Sequence, residues 1–454
     1  MFKEHCINSH NKNSQEDKKC LENIKTLSST VEEMAIDKGD VLVEEGEGNL
    51  QRAACKNYLL SFDKDFPTYN KGELFNIKAS RIMITDRCPY SCTYCGVYYQ
   101  KQLEKGKISQ EEFNARDIGA NEGGSVKNYK EAKKQYLSPE DYKFLAAVLG
   151  YYFKTNDITL TGGDPFVRSE VKEIIDSISS LGIKTTALTK GLPLFDKDGE
   201  EKITSIAGSV SRIIFSLDTL NPEKHASQNL PLSSRNAAIK ALPRTLETIK
   251  KACNLGYHVD INSVIEPVSF DDLEKTKESF LSTLSIIKFA LETSVKKLKF
   301  IELELNYTSG KPYIEEYFQK MFEGGFFKDF NVEHWEKPIL NLAKTTINFC
   351  SIKKENGELL NLNTYRTHCP TTILKNNGEK NCNLSSTGEL NINSVGEIVT
   401  CQKRPFLSNF NLRKAVIDRD IKMVIECIKK AETESEKQVC PEFKNQNIST
   451  KNVH

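Results

Sequence analysis

The stretch Arg81-Ile-Met-Ile-Thr-Asp-Arg-Cys88-Pro-Tyr-Ser-Cys92-Thr-Tyr-Cys95 decides how the rest of the chain is read. Its first part, Ile82–Thr85, is a short apolar and β-branched run of the kind that forms a buried strand. Its second part puts three thiols within eight residues at C-x3-C-x2-C spacing, immediately after that strand. A short loop of this kind lets successive thiolates converge on different irons, so three of them can wrap one corner of a cubane [4Fe–4S] cluster. The fourth iron then has no local cysteine and can bind a small molecule, as open catalytic metal sites do and closed structural ones do not. A zinc knuckle or incidental buried cysteines are the competing readings. Zinc would want a fourth Cys or His close by, which His5, His10 and the later histidines do not offer at any such spacing.

Outward from this loop, short β-branched runs alternate with longer helical patterns, as a parallel sheet with crossover helices requires. The expected strands are Ile82–Thr85, Ile158–Thr161, Thr185–Thr189, Arg212–Leu217, His258–Val264 and Leu298–Leu305. Between them, Ser138 caps a helix that has Pro139 at its first position, and Glu170–Leu181 and Ala237–Leu255 stop at Gly182 and Gly256. Six β/α units are two short of a closed eight-stranded barrel. The expected fold is therefore α/β, a partial (β/α)6 TIM-like barrel over residues 76–308, with a cysteine-containing C-terminal extension over 309–443.

Residues 1–75 are rich in Lys, Glu, Asn and Ser and read as a polar, partly disordered extension with a short helix through Leu21–Met34. The polar segment Tyr98–Leu137 is longer than an ordinary β/α connection and reads as a lid or an insertion. Residues 444–454 read as an unstructured tail. The 454-residue chain has 63 Lys+Arg against 62 Asp+Glu, so its formal charge of +1 gives no general reason to bind nucleic acid or an anionic membrane. Its longest nearly apolar run, Phe144–Phe153, is about half what a membrane crossing needs. Thirteen cysteines, with a polar Met1–Lys19 that carries no secretory apolar core, point to reduced thiols in a cytoplasmic setting.

Other polar residues fall at strand ends, where barrel active sites are built. Thr161-Gly162-Gly163-Asp164-Pro165 follows the second strand, and its glycines let backbone approach a ligand closely. Ser216 and Asp218 end the fourth strand, and Asn262 lies on the fifth. Taken alone these residues would be a turn, helix caps and a buried amide.

Together with the cysteine loop, these motifs resemble the radical S-adenosylmethionine (SAM) superfamily. The resemblance implies that Cys88, Cys92 and Cys95 hold a [4Fe–4S] cluster whose open iron is chelated by SAM. An electron then cleaves the sulfonium, and the resulting 5′-deoxyadenosyl radical takes a hydrogen atom from a substrate. It further implies a SAM pocket from Tyr94, Gly162, Gly163, Asp164, Pro165, Ser216, Asp218 and Asn262, and an electron donor such as flavodoxin or ferredoxin. Within the superfamily, "RIMITDRCPYSCTYC", "ITLTGGDPFVR", "RIIFSLDTLNP" and "KFIE" look like the GTP 3′,8-cyclase group of molybdenum-cofactor biosynthesis, over roughly residues 78–305. Arg81 and Thr189 sit where that group places substrate-contacting residues. Thr159 and Asp260 depart from it, standing where that group has arginine and lysine.

Leu390–Cys401 reads as a β-hairpin turning near Ser394–Gly396 with a cysteine at its end, as in the auxiliary-cluster regions of related enzymes. The expectation is a second [4Fe–4S] cluster on Cys369, Cys382 and Cys401, with substrate, Cys440 or Cys350 at its fourth iron; structural zinc or unligated thiols compete. Cys6, Cys20, Cys55, Cys253 and Cys427 read as ordinary thiols. The function that follows is a radical SAM enzyme acting on a small-molecule, nucleotide-like or peptide substrate. GTP cyclisation is the alternative, and a non-enzymatic iron–sulfur electron carrier or sensor is the alternative of another class.

Overall fold

Apolar and polar residues alternate along the expected strands, and this alternation decides which side of the sheet meets the helices. The computed structural model describes residues 47–63, 67–69, 73–92, 95, 136–194, 197–231, 235–265, 268–302, 313–337, 346–366, 373–374, 380–381, 389–399 and 411–437. In chain order it contains α1 (Glu47–Leu59), β1 (Ala79–Thr85), β2 (Tyr90–Cys92), α2 (Pro139–Tyr152), β3 (Asp157–Gly162), α3 (Val171–Ser179), β4 (Lys184–Thr189), α4 (Lys197–Ser205) and β5 (Arg212–Ser216). There follow α5 (Pro222–Gln228), β6 (Asn229–Pro231), α6 (Arg235–Asn254), β7 (Val259–Ile265), α7 (Leu273–Glu292), β8 (Lys297–Glu302), α8 (Tyr313–Glu323), β9 (Val332–Trp335), β10 (Thr346–Lys353) and β11 (Leu359–Arg366). The last are β12 (Ile373–Leu374), β13 (Lys380–Asn381), β14 (Glu389–Ile392), β15 (Ile398–Val399), α9 (Leu412–Ile417) and α10 (Ile421–Lys437).

One eleven-stranded sheet runs β15-β14-β1-β3-β4-β5-β7-β8-β11-β10-β9. Its centre, β1 to β8, is parallel and in sequence order, as expected for a partial (β/α)6 barrel. Ile82, Ile84, Ile158, Leu160, Ile213, Phe215, Val259, Ile261, Leu298 and Phe300 point to one side and are fully buried with Phe144 and Val148 of α2, Ile174 and Ile178 of α3 and Ile287 of α7. The other side is polar: Arg81, Thr159, Thr186 and Arg212 share one register row across β1, β3, β4 and β5, and Ser216, Asn262 and Lys299 share another across β5, β7 and β8.

That polar side is concave. Arg81 and Lys299 lie five strand spacings apart, which in a flat sheet would be about 24 Å at about 4.8 Å per strand. Yet the Lys299 ammonium is pushed down to about 8, by burial first and then by the positive charge of Arg81. Only a curled sheet brings those two side chains within reach of each other.

The helix ends follow the sequence signals. Asp141 N donates to Ser138 Oγ at 3.2 Å and Ser138 N donates to Asp141 Oδ2 at 2.7 Å, a capping box around Pro139. Gly182 and Gly256 take φ of +76° and +81° just beyond α3 and α6, where the chain must turn left-handed.

The C-terminal region, expected as a cysteine-containing extension over 309–443, continues the sheet at both edges. β11 joins β8 in parallel, and β10 and β9 continue the sheet antiparallel from it, while β14 and β15 extend the opposite edge beside β1. The β10–β11 hairpin turns at Asn356-Gly357, with Gly357 at φ +84°, and Phe318 of α8 packs 4.5 Å from Phe349. The expected hairpin at 390–401 is present as β14–β15, with Gly396 at φ +84° in its turn.

Residues 50–59, read from sequence as part of a loosely attached extension, are packed: Cys55 and Leu59 are fully buried, and Gln51 Nε2 donates to the Thr155 carbonyl at 2.6 Å. A compact unit spans Leu50–His454, and Met1–Asn49 forms a separate unit lying almost wholly outside the described residues. The Leu21–Met34 helix, residues 98–135 of the lid segment, Tyr94, Cys369, Cys382, Cys401, Cys440 and the 444–454 tail also lie outside them. Among the described residues, no helix is long and apolar enough to cross a membrane.

Arg168 fixes the carboxyl end of β1 to the segment that enters α2. Its guanidinium is buried, donates to the Ile84 carbonyl at 2.9 Å and the Leu137 carbonyl at 2.6 Å, and lies 5.3 and 5.5 Å from the Tyr136 and Tyr142 rings. Arg168→Met deprives both carbonyls of that donor and is expected to destabilise the fold by about 2–4 kcal/mol, seen as a lower denaturant midpoint. A midpoint equal to that of the parent protein would contradict this.

Candidate active site

The cysteine loop is clamped from both sides. Beyond β1 the chain pairs again as β2 with β6, Tyr90 opposite Pro231 and Cys92 opposite Asn229. Cys95 N donates to the Cys92 carbonyl at 3.1 Å, which turns the third cysteine back toward the second. Cys88, Cys92 and Cys95 gather with Tyr90, Leu192 and Ala241 in a small cluster separate from the main core. Burial, then the Asp164 carboxylate and the Cys92 thiol, push the Cys88 thiol well above its usual range. A cationic metal is what relieves such crowding of thiolates. Among the described residues, no three His, Cys, Asp or Glu side chains are placed to hold a single metal ion. A cubane does not ask for that, because each thiolate serves a different iron. Three thiols on one clamped loop thus fit a cubane corner.

The Gly-Gly-Asp-Pro segment is joined directly to this loop. Gly163 N donates to the Thr85 carbonyl at 2.8 Å, and Asp164 N to the Arg87 carbonyl at 2.7 Å. A Cβ on Gly162 would lie 1.9 Å from Thr85 O, one on Gly163 would lie 2.1 Å from Arg87 O, and Gly162 has φ +138°. These glycines, expected to let backbone approach a ligand, lie against the backbone that leads into Cys88, where no side chain fits.

Asp164 is likewise committed to the protein. Its Oδ1 accepts from Phe166 N at 3.1 Å and caps the short turn Pro165–Val167; its Oδ2 accepts from Thr189 Oγ1 at 2.7 Å and Lys190 N at 3.0 Å. Burial raises its carboxyl to about 6 against these bonds. Thr189 Oγ1 also accepts from Gly191 N at 2.8 Å, so this hydroxyl, expected at the substrate, holds Asp164 and its own turn.

Asp218 follows the same pattern. It is buried, accepts from Val264 N at 2.8 Å, and pairs with Lys190 Nζ at 3.0 Å. Burial alone would lower the Lys190 ammonium, but the Asp218 carboxylate, the Cys92 thiol and the Tyr90 hydroxyl together outweigh burial and hold it up. Lys190 escaped the sequence reading; its one signal there is a charged residue directly after a strand.

Ser216 and Asn262 are register neighbours across β5 and β7. Asn262 Oδ1 is buried and accepts no hydrogen bond, an acceptor that a ligand can satisfy. Arg81 lies in the polar row between Thr159 of β3 and Asn391 of β14. In the same polar row, Arg212 faces Asp157 at 3.5 Å and Asp260 at 3.7 Å.

Cys350, a candidate fourth ligand of a second cluster, is fully buried in the main hydrophobic core, and burial pushes its thiol up to about 12. It packs as a core residue. Cys55 and Cys427 are buried thiols raised in the same way, to about 12 and about 11.

Residues 82–280 match the model of the Radical SAM superfamily. The GTP 3′,8-cyclase of Aquifex aeolicus is 35% identical over 193 residues, which is 42% of this chain and 48% of that protein. A probable GTP 3′,8-cyclase of Sulfurisphaera tokodaii is 25% identical over 229 residues, 50% of this chain and 56% of that one. The chain thus spans about half the length of the curated relatives it matches. Among solved structures, Streptococcus suis SuiB bound to S-adenosylmethionine aligns at a TM-score of 0.44 with 14% identity, over 85% of this chain and 72% of that one. The cysteine loop and the Gly-Gly-Asp-Pro turn both lie inside the segment that matches the radical SAM superfamily model.

Proposed function

We propose that the protein is a radical SAM enzyme, with a [4Fe–4S] cluster on Cys88, Cys92 and Cys95, SAM beside it, and a substrate inside the curled sheet. The observation that carries this reading is the clamped loop: three thiols at the carboxyl end of the first barrel strand, within the segment that matches the superfamily. When bound, the cluster and SAM supply the chemistry, an electron that cleaves the sulfonium and a 5′-deoxyadenosyl radical that takes hydrogen from the substrate.

The chain's own residues bind and orient. Asn262 Oδ1 offers SAM an unfilled acceptor, with the Ser216 hydroxyl beside it. Gly162–Pro165 form the adjoining edge, and Tyr94 is assigned to the adenine side. Asp164 and Asp218 act as supports, since their carboxylates are taken up by protein donors. Arg81 and Lys299 are assigned to the substrate, which is a small molecule, a nucleotide or a peptide. The electron comes from a carrier such as flavodoxin or ferredoxin, and Cys369, Cys382 and Cys401 are assigned to a second cluster.

A second reading, GTP cyclisation, is favoured by the names of the relatives. Against it, the Arg212 charge inside the sheet is already answered by Asp157 and Asp260, which leaves less cationic field for a triphosphate.

The test is anaerobic reconstitution with SAM and dithionite, with and without GTP. Formation of 5′-deoxyadenosine without substrate is expected, and Cys92→Ala should reduce it to background; an electron carrier would form none, and an active Cys92→Ala would misplace the site. Mass spectrometry of the GTP sample separates the two substrate readings. Arg81→Gln should lower substrate turnover at least tenfold more than uncoupled SAM cleavage, whereas equal losses would assign Arg81 to the fold. Iron analysis near eight per chain supports the second cluster, and near four contradicts it.

A further inference from the structure

We propose that Lys190 sets the reduction potential of the cluster at Cys88, Cys92 and Cys95, its ammonium serving as a fixed positive charge in the wall behind the cysteine loop. This rests on the reading above that those thiols hold a [4Fe–4S] cluster.

Lys190 is built into that wall at every atom that can be anchored. Its N–H donates to Asp164 Oδ2 at 3.0 Å, and its carbonyl accepts from Thr245 Oγ1 at 3.0 Å. Its ammonium, with a side chain only 11% exposed, meets Asp218 Oδ2 at 3.0 Å and lies 5.8 Å from the centre of the Tyr90 ring. Tyr90 stands between Cys88 and Cys92 and shares their small cluster. The ion pair is therefore oriented. Its positive end lies over the Tyr90 ring, between Cys88 and Cys92 in the loop, while its negative end is tied to the Val264 amide of β7.

The neighbouring imidazole does not add to that charge. His225 meets the Tyr90 ring edge-on at 6.0 Å and is buried; burial, with Lys190 next, lowers its imidazole to about 4, so it adds no positive charge. A buried ion pair is a poor route to stability, since desolvation offsets most of the attraction. Its placement beside the thiols gives it another use. Reduction adds one negative charge to an iron–sulfur cluster, so a nearby cation stabilises the reduced form more and raises the potential. Lys190 is thus a positioning residue for charge and touches no reacting atom.

The test uses the full chain, reconstituted anaerobically without SAM, and a redox titration followed by the electron paramagnetic resonance signal of the reduced cluster. Lys190→Met should move the midpoint to a more negative potential. Asp218→Asn keeps an oxygen for the Val264 amide and removes the opposing charge, so it should move the midpoint the other way. Lys190→Arg should stay nearest the parent. Parental midpoints in both Lys190→Met and Asp218→Asn, or shifts of both in one direction, would overturn the proposal. If Lys190→Met assembles no cluster, the direction of the Asp218→Asn shift decides alone. If the parent chain itself takes up no [4Fe–4S] cluster, the functional reading fails first and this inference with it.

Discussion

Two backbone hydrogen bonds, from Gly163 N to Thr85 O and from Asp164 N to Arg87 O, join the ends of the first two parallel strands at the point where the cysteine loop begins. Most of the site hangs on that contact. It requires two residues without side chains, since a Cβ at either position would fall within about 2.1 Å of a carbonyl oxygen. Having brought the chains together, the next residue, Asp164, reaches on to Thr189 and Lys190 at the end of β4. Lys190 in turn reaches Asp218 beyond β5, and Asp218 reaches Val264 on β7. A single polar chain thus links five neighbouring strand ends, and the thiols stand at one end of it.

Polar groups in this chain divide by whether the protein already satisfies them. Asp164 and Thr189 spend their hydrogen-bonding capacity on each other and on backbone amides, and Asp218 spends its own on Lys190 and the Val264 amide, so they position. Asn262 Oδ1 is buried and unspent. Buried polar atoms are nearly always paired, so this unpaired oxygen is an acceptor that a ligand can satisfy. The concave face adds cations that are partly answered from within, Arg212 by two aspartates, and partly crowded, Lys299 by Arg81.

Much of the architecture could be read from one sequence because its signals are local. The C-x3-C-x2-C loop follows a β-branched run, Ser138-Pro139 opens a helix, and Gly182 and Gly256 close two more; each lies within a few residues of what it determines. The roles of Asp164, Asp218 and Lys190 were not legible, since their partners lie 25 to 46 positions away and meet only when parallel strands align. Residues 346–366 carry local signals as well: Leu360-Asn361-Leu362-Asn363 alternates as a strand does and Asn356-Gly357 is an ordinary hairpin signal, but the pairing of β11 with β8 joins positions about sixty apart.

The central claim is that the three thiols hold a cubane with one iron open to SAM. Its most direct measurement is the electron paramagnetic resonance spectrum of the reduced, anaerobically reconstituted protein before and after SAM is added. The account predicts a [4Fe–4S] signal whose g-values change on addition, and a loss of that response in Cys92→Ala. A spectrum indifferent to SAM, or a site that takes up zinc and no iron, would contradict it.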